Sequence, residues 1–224
     1  MKLYELAGED LEIRFSPYCW IVRFALAHKG LHADLIPWHM TDKEAIAFSG
    51  QGKVPLLVDG SNVIADSVEI LAYLEKNHVE NPLGLSGEYM FIRKWSEGIL
   101  HELMVPLLHL PASKVMSKDD EVYFRDSIQE YRGKSLEELF ENPEEKLQLL
   151  REGIAPLRNT LEQQQFLGGD HPSASDYTVM GWFMWARCVS ECSLLEKDDA
   201  VYRWRERMLE LFGGMGKNVK SPYG

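Results

Sequence analysis

Lys53-Val54-Pro55-Leu56-Leu57-Val58-Asp59-Gly60-Ser61-Asn62-Val63-Ile64-Ala65-Asp66-Ser67 is the stretch whose reading decides the fold. Asp-Gly is a strong turn signal. Asp59-Gly60-Ser61 separates two apolar runs, Pro55 to Val58 and Asn62 to Ala65, so the stretch predicts an antiparallel hairpin. Pro55 cannot donate to a ladder, which leaves the backbone of Val54 available to an extended ligand by strand addition. Asp66-Ser67 then opens a helix over Ser67 to Lys76, with Glu69 placed to complete a capping box. As caps the two residues need no ligand, yet a helix N-terminus also binds carboxylates through its free N–H groups and local dipole.

Working outward, Lys2 to Leu6 reads as a strand, Pro17 to Lys29 as a helix ended by Gly30, and Ala33 to Trp38 as a second strand. A short helical stretch from Asp42 leads into the hairpin. The order β-α-β-α-β-β-α within about 80 residues is that of a thioredoxin-like α/β domain with a right-handed crossover. Beyond it the grammar changes to helix after helix. The breaker-rich segment Asn77 to Gly84 is the expected linker, giving a thioredoxin-like N-terminal domain over 1–80 and an all-α helical bundle over 86–224. Helices are expected at about Gly87 to Leu110, Asp119 to Tyr131, Pro143 to Gln164, Ala174 to Ser190 and Asp199 to Phe212. Ser135 with Glu138, Asn142 with Glu145 and Ser173 with Asp176 each have capping-box spacing. Tyr177 to Trp185 is apolar on every face, which predicts a buried central helix.

Composition sets the class. With 45% hydrophobic and 26% charged residues among 224, the chain is an ordinary folded protein. The net charge of -11 would on average repel a nucleic-acid backbone or an anionic membrane. Three cysteines cannot build a disulfide framework, and Cys188 with Cys192 reads as helix packing, so a reducing, cytoplasmic compartment is expected. The N-terminus lacks a signal-like apolar run and no segment reads as membrane-spanning.

Chemistry concentrates at helix starts. Phe15-Ser16-Pro17-Tyr18-Cys19 puts a hydroxyl just before a proline suited to the first helical position, so Ser16 is an N-cap. Two such termini, at Ser16 and at Asp66-Ser67, can together hold a molecule carrying both a nucleophile and a carboxylate. Ser16-Pro17-Tyr18-Cys19, Lys53-Val54-Pro55, Asp66-Ser67, Gly168-Gly169-Asp170 and Ser173-Ala174-Ser175-Asp176, at these spacings, resemble a cytosolic glutathione transferase over nearly the whole chain. Ser16-Pro17-Tyr18 with Trp20 and the run Arg23 to Leu31 resembles the serine-type branch that holds bacterial β-aryl etherases and a related fungal-specific class.

The resemblance implies roles. Ser16 would be the catalytic residue, hydrogen-bonded to the glutathione sulfur. Val54 would pair with the cysteinyl backbone beside a cis Pro55, Asp66 and Ser67 would hold the γ-glutamyl end, and Lys53 would lie near a carboxylate. Ser173 and Asp176 would form a folding-related capping box. Glutathione would be the cosubstrate, no metal would be needed, and the chain would form a homodimer. A thiol of pKa near 8.5 needs about two units of lowering. A helix N-terminus supplies up to about 2 kcal/mol and a charged hydrogen bond about 1.5 to 3, at about 1.36 per unit, so no general base is required.

Relatives that form mixed disulfides carry Cys at the place of Ser16, so thiol exchange is not expected, and Cys19 reads as a small apolar filler. The hydrophobic substrate site is expected from Phe15, Tyr18, Trp38, Tyr89, Arg93, Trp95, Ser96 and Ile99, an aromatic lining suited to an apolar, aromatic electrophile. Conjugation is the expected activity, with aryl-ether cleavage implied by the branch. The alternative is a non-catalytic carrier of hydrophobic small molecules on the same fold. Gly213 to Lys217 lacks phosphate-loop spacing, and His101-Glu102 has Val105 where a zinc motif needs histidine.

Overall fold

In the computed structural model, which describes residues 1–223, the hairpin closes one edge of a four-stranded mixed sheet. Strand β1 (Lys2–Leu6) is central, parallel to β2 (Asp34–Trp38) and antiparallel to β3 (Leu56–Asp59), and β4 (Asn62–Ala65) completes the order β2-β1-β3-β4. Leu57 pairs with Ile64 and Asp59 with Asn62 across the Asp-Gly turn. Helix α1 (Pro17–His28) makes the crossover between the parallel strands, a 3₁₀ helix (Glu44–Ser49) leads toward β3, and α2 (Ser67–Asn77) follows β4. Helix α1 has two buried sides: one covers the sheet and α2, the other meets the second half of the chain. That is why Trp20, Val22, Phe24 and Ala25 are all fully enclosed.

The second half is helical throughout: α3 (Gly87–Trp95), a π-helical turn (Ser96–Leu100), α4 (His101–Ser113), α5 (Lys118–Arg132), α6 (Leu136–Phe140), α7 (Pro143–Gly153), α8 (Ala155–Gln163), α9 (Ala174–Val189) and α10 (Ala200–Gly214). A thioredoxin-like mixed sheet followed by a helical domain is therefore the observed architecture. Two expected helices are divided. Pro143 to Gln164 breaks at Ile154, because Pro156 in the first turn of α8 has no N–H to continue the ladder of α7. Gly87 to Leu110 is interrupted by the wide turn at Ser96–Leu100 and then runs on to Ser113 through Pro106 and Pro111. Helix α10 carries a kink at Leu211 to Gly213 near the expected end.

The caps sort by local geometry. Ser135 and Ser173 form reciprocal boxes with Glu138 and Asp176. Asn142 does not: its backbone sits at φ 53°, and its side chain makes no capping bond. Asp66 caps Val68 N at 2.7 Å without a reciprocal bond from Glu69. Cys188 is buried in α9, whereas Cys192 lies past the helix end and is exposed, so packing accounts for only the first of the pair.

Helix α9 is the axis of the helical half, and every residue from Ala174 to Ala186 is buried. It lies directly against α1 because Gly181 has no side chain: a methyl group there would fall 2.5 Å from Pro17 O and 2.8 Å from Ile21 Cγ1. Asp176, fully enclosed, accepts from Leu167 N (2.7 Å), Gly168 N (3.0 Å), Ser173 N (3.0 Å) and Trp204 Nε1 (2.8 Å), which pins α9, α10 and the preceding loop at one carboxylate. Side-chain hydrogen bonds also join the two halves. Tyr177 OH meets His28 Nδ1 at 2.6 Å, and Asp120 at the start of α5 accepts from Met40 N (2.8 Å), Thr41 N (2.8 Å) and Thr41 Oγ1 (2.7 Å).

Candidate functional site

Ser16 has extended backbone (φ -68°, ψ 123°), which turns the chain out of the preceding loop and into α1 with Pro17 at the first helical position. Its Oγ accepts from Cys19 N at 3.4 Å, and its hydroxyl proton remains a donor. The residue is buried, at the wall of an apolar cavity of about 150 Å³ lined mainly by Phe15, Tyr18, Phe124, Trp182, Trp185 and Met116. Tyr18 is also a wall of a second, polar cleft of about 310 Å³ formed by Lys53, Val54, Pro55, Asp66, Ser67 and Arg93 with Gln51 and Glu97. One aromatic ring thus stands between the two spaces.

The polar cleft is made by the hairpin stretch. The Val54–Pro55 peptide is cis, and Val54 lies two residues before Leu56, where β3 begins. Asp66 adopts φ 73°, a left-handed value uncommon for a residue with a Cβ, and so places both its carboxylate and the start of α2 at the cleft. Ser67 is enclosed and its Oγ has no hydrogen-bond partner, an arrangement that leaves a donor and acceptor for a polar ligand. Arg93 reaches in from the helical half, paired with Glu97 Oε1 at 2.7 Å and donating to Tyr89 OH at 3.3 Å, while its Nε is unpartnered. The cleft therefore offers helix-terminal N–H groups, a guanidinium and the exposed Lys53 to carboxylates, and Asp66 to an ammonium.

Electrostatics removes Cys19 as a nucleophile. Burial, reinforced by the Glu5 carboxylate, pushes the Cys19 thiol up to about 12, so it stays protonated. Burial, then Glu97 and Asp66, raises the Tyr18 phenol as well. Glu5 lies beneath this corner, fully enclosed, 3.5 Å from Arg14 Nε and 3.7 Å from Arg23 Nε.

The candidate residues divide between places. Ser16, Phe15 and Tyr18 meet at the apolar cavity, and Lys53, Val54, Pro55, Asp66, Ser67 and Arg93 meet at the polar cleft. Tyr89 and Ser96 are enclosed and spend their hydroxyls on Arg93, Tyr89 by accepting from its guanidinium and Ser96 by donating to its carbonyl oxygen. Trp38 is away from both spaces, its Nε1 donating to Asp42 O at 2.6 Å, because the end of β2 turns it into the sheet side of the core. Trp95 lines a separate outer groove with Phe91 and Leu157, and Ile99 faces solvent, because the π-helical turn rotates that face away. Sequence reasoning did not anticipate His101, His109, Trp182 or Trp185 on the apolar wall. The spacing of His101 and His109, eight residues apart on one helix, was the available signal, since both fall on one face.

Among the described residues no group of three or more His, Cys, Asp or Glu could hold a metal ion, and no helix is long and apolar enough to cross a membrane.

Comparison with known proteins places this geometry. Residues 11–82 match the family model described as the glutathione S-transferase N-terminal domain, and residues 88–210 match that of the C-terminal domain. Glutathione S-transferase 1 of Dianthus caryophyllus is 42% identical over 88 residues, an alignment that spans 37% of this chain and 37% of the relative's own length. A probable glutathione S-transferase of Glycine max is 25% identical over 204 residues, covering 87% of this chain and 80% of the relative. Among solved structures, a glutathione S-transferase of Ceriporiopsis subvermispora in complex with glutathione superposes with a TM-score of 0.76 at 22% identity, covering 94% of this chain and 95% of the other. Glutathione transferase GSTFuA2 of Phanerochaete chrysosporium gives 0.73 at 25% identity, covering 95% and 92%. With both halves matched by models of one family, the second of which alone spans more than half of the residues, the chain belongs to the glutathione S-transferases.

Proposed function

We propose that this chain is a serine-type glutathione transferase: it binds the tripeptide in the polar cleft and an apolar, aromatic electrophile in the adjoining cavity. The observation that carries the reading is that Ser16, at the start of α1, borders the apolar cavity while its neighbour Tyr18 borders both spaces. A ligand extended along Val54 would reach from the Asp66-Ser67 terminus toward α1, and the unpartnered Ser67 Oγ supports a polar terminus at that end. Ser16 then acts as a hydrogen-bond donor to the thiolate. The hydroxyl and the helix terminus favour the charged sulfur, and the thiolate, not the serine, forms the new bond to carbon. A proton leaves the thiol for solvent and the leaving group departs with the electrophile's bonding pair.

Aryl-ether cleavage is the variant of this chemistry favoured by the Ser16-Pro17-Tyr18 motif and by the aromatic cavity walls: thiolate attacks the ether carbon and an aryl oxide leaves. Homodimerisation and a cytoplasmic location belong to the same proposal. Retention on immobilised glutathione together with conjugation of a chloroaromatic electrophile tests the main reading. Stabilisation by aromatic ligands but not by glutathione would instead make the protein a carrier.

A further inference from the structure

The apolar cavity contains more polar equipment than its aromatic walls suggest. Along its wall the rings run in sequence: His101 stands 5.0 Å from Trp182, Trp182 stands 6.2 Å from Trp185, and Trp185 stands 5.6 Å from His109, measured between centroids. His109 is 7% exposed and Trp182 is 2% exposed. Neither His109 Nδ1 nor Trp182 Nε1 has a hydrogen-bond partner among the described residues. Buried polar groups are nearly always satisfied, and each orphan costs about 1–3 kcal/mol, so two on the wall of one cavity ask for a partner that enters from outside.

The chemistry of that partner is narrow. An indole N–H only donates. A neutral imidazole nitrogen donates or accepts according to its tautomer, and a hydroxyl oxygen meets either case while still accepting from the indole. A carbonyl can only accept. A carboxylate would need a cation on this wall, but the imidazole of His109 is uncharged at neutral pH: burial first, and then the Arg132 and His101 charges, hold it down at about 3. The space, about 150 Å³, is that of a cavity known to take a single benzene ring.

We infer that Trp182 and His109 form a specificity pair selecting an uncharged, single-ring aromatic that bears a hydroxyl group, bound with the hydroxyl at Trp182 Nε1 and His109 Nδ1 and the ring against Tyr18 and Trp185. This rests on the apolar cavity being the second-substrate site of the proposed transferase. Selection here is a matter of unpaired groups: an analogue lacking the hydroxyl leaves both orphans unpaired in the complex, whereas the hydroxylated ligand relieves them.

Calorimetric titration of the full chain with 4-methylphenol, p-xylene and 4-methylbenzoate tests it. 4-Methylphenol should bind at least about tenfold more tightly than its near-isostere p-xylene, and 4-methylbenzoate should be the weakest. In Trp182→Phe and, separately, His109→Phe, the preference for 4-methylphenol over p-xylene should shrink to about threefold or less. Equal affinity for 4-methylphenol and p-xylene in the parent protein, or no binding of either, overturns the inference without recourse to any variant. A parallel titration with glutathione separates the two readings: tripeptide binding without hydroxyl preference sinks only the specificity pair, and hydroxyl preference without tripeptide binding sinks only the transferase.

Discussion

Ser16 and Cys19 lie within one turn of each other, yet their surroundings assign them opposite capacities. Ser16 presents a hydroxyl at a cavity wall, whereas the Cys19 thiol is enclosed and held protonated at about 12. Ser16→Ala is expected to lower glutathione conjugation at least about tenfold, equivalent to about 1.4 kcal/mol of lost thiolate or transition-state stabilisation. Cys19→Ala should leave the rate nearly intact, and steady-state kinetics on the two variants would overturn the assignment if the pattern were reversed. Ser16→Cys should place a thiol at the helix terminus and bring mixed-disulfide exchange with glutathione, detectable by mass. At this scale the site was legible where function is written into turn chemistry: Ser16-Pro17 and Asp66-Ser67 announce helix starts in sequence alone. It was not legible for His109 and Trp182, because a histidine or tryptophan among apolar residues reads the same whether it faces a core or a cavity.

The elements show where local signals end and packing takes over. The hairpin around Asp59-Gly60 could be read from its turn, and α9 from its unbroken apolar surface. The break at Ile154 and the π-helical turn at Ser96–Leu100 could not be placed from periodicity, since both halves of each helix keep an apolar stripe. The contact of α1 with α9 rests on Gly181. Gly181→Ala would force a methyl toward the Pro17 carbonyl, and overpacking of this kind costs about 1–3 kcal/mol, so the urea midpoint should fall without a change in slope. A midpoint equal to that of the parent would show that α1 moves aside freely. Asp176→Ala should be more severe, with at least about 3 kcal/mol lost, because several buried N–H groups lose one shared acceptor. Asp176→Asn, which keeps one acceptor oxygen, should fall between.

For the whole molecule the buried imidazoles set a pH dependence. The unfolded chain's His109 titrates near pH 6.5, as an ordinary histidine does, and the folded one near 3, so between those values the unfolded state binds more protons. The contribution is fully present above about pH 6.5 and is lost as the pH falls toward 3, at up to about 1.4 kcal/mol per unit. His28 and His101 are shifted down by burial too and act with the same sign. Denaturation at pH 7 and pH 5 should therefore show the acid loss, and His109→Phe should remove close to one proton's worth of it. An unchanged slope in the variant would mean that His109 is solvated when folded.

The grip of Asp120 on the loop from His39 to Thr41 has a consequence for how such chains can be recombined. Met40 belongs to the wall of the apolar cavity, but the carboxylate holding its backbone in place comes from α5, on the far side of the linker. Residues that read as the first module thus depend for their shape on an anchor encoded in the second. A chimera that grafts a foreign helical half behind the linker would inherit Ser16 and the hairpin unchanged, and still lose that wall unless the donor supplied an acid at the equivalent place. The point of crossover permitted by the chain's modular grammar is, for this cavity, a cut through the middle of one wall.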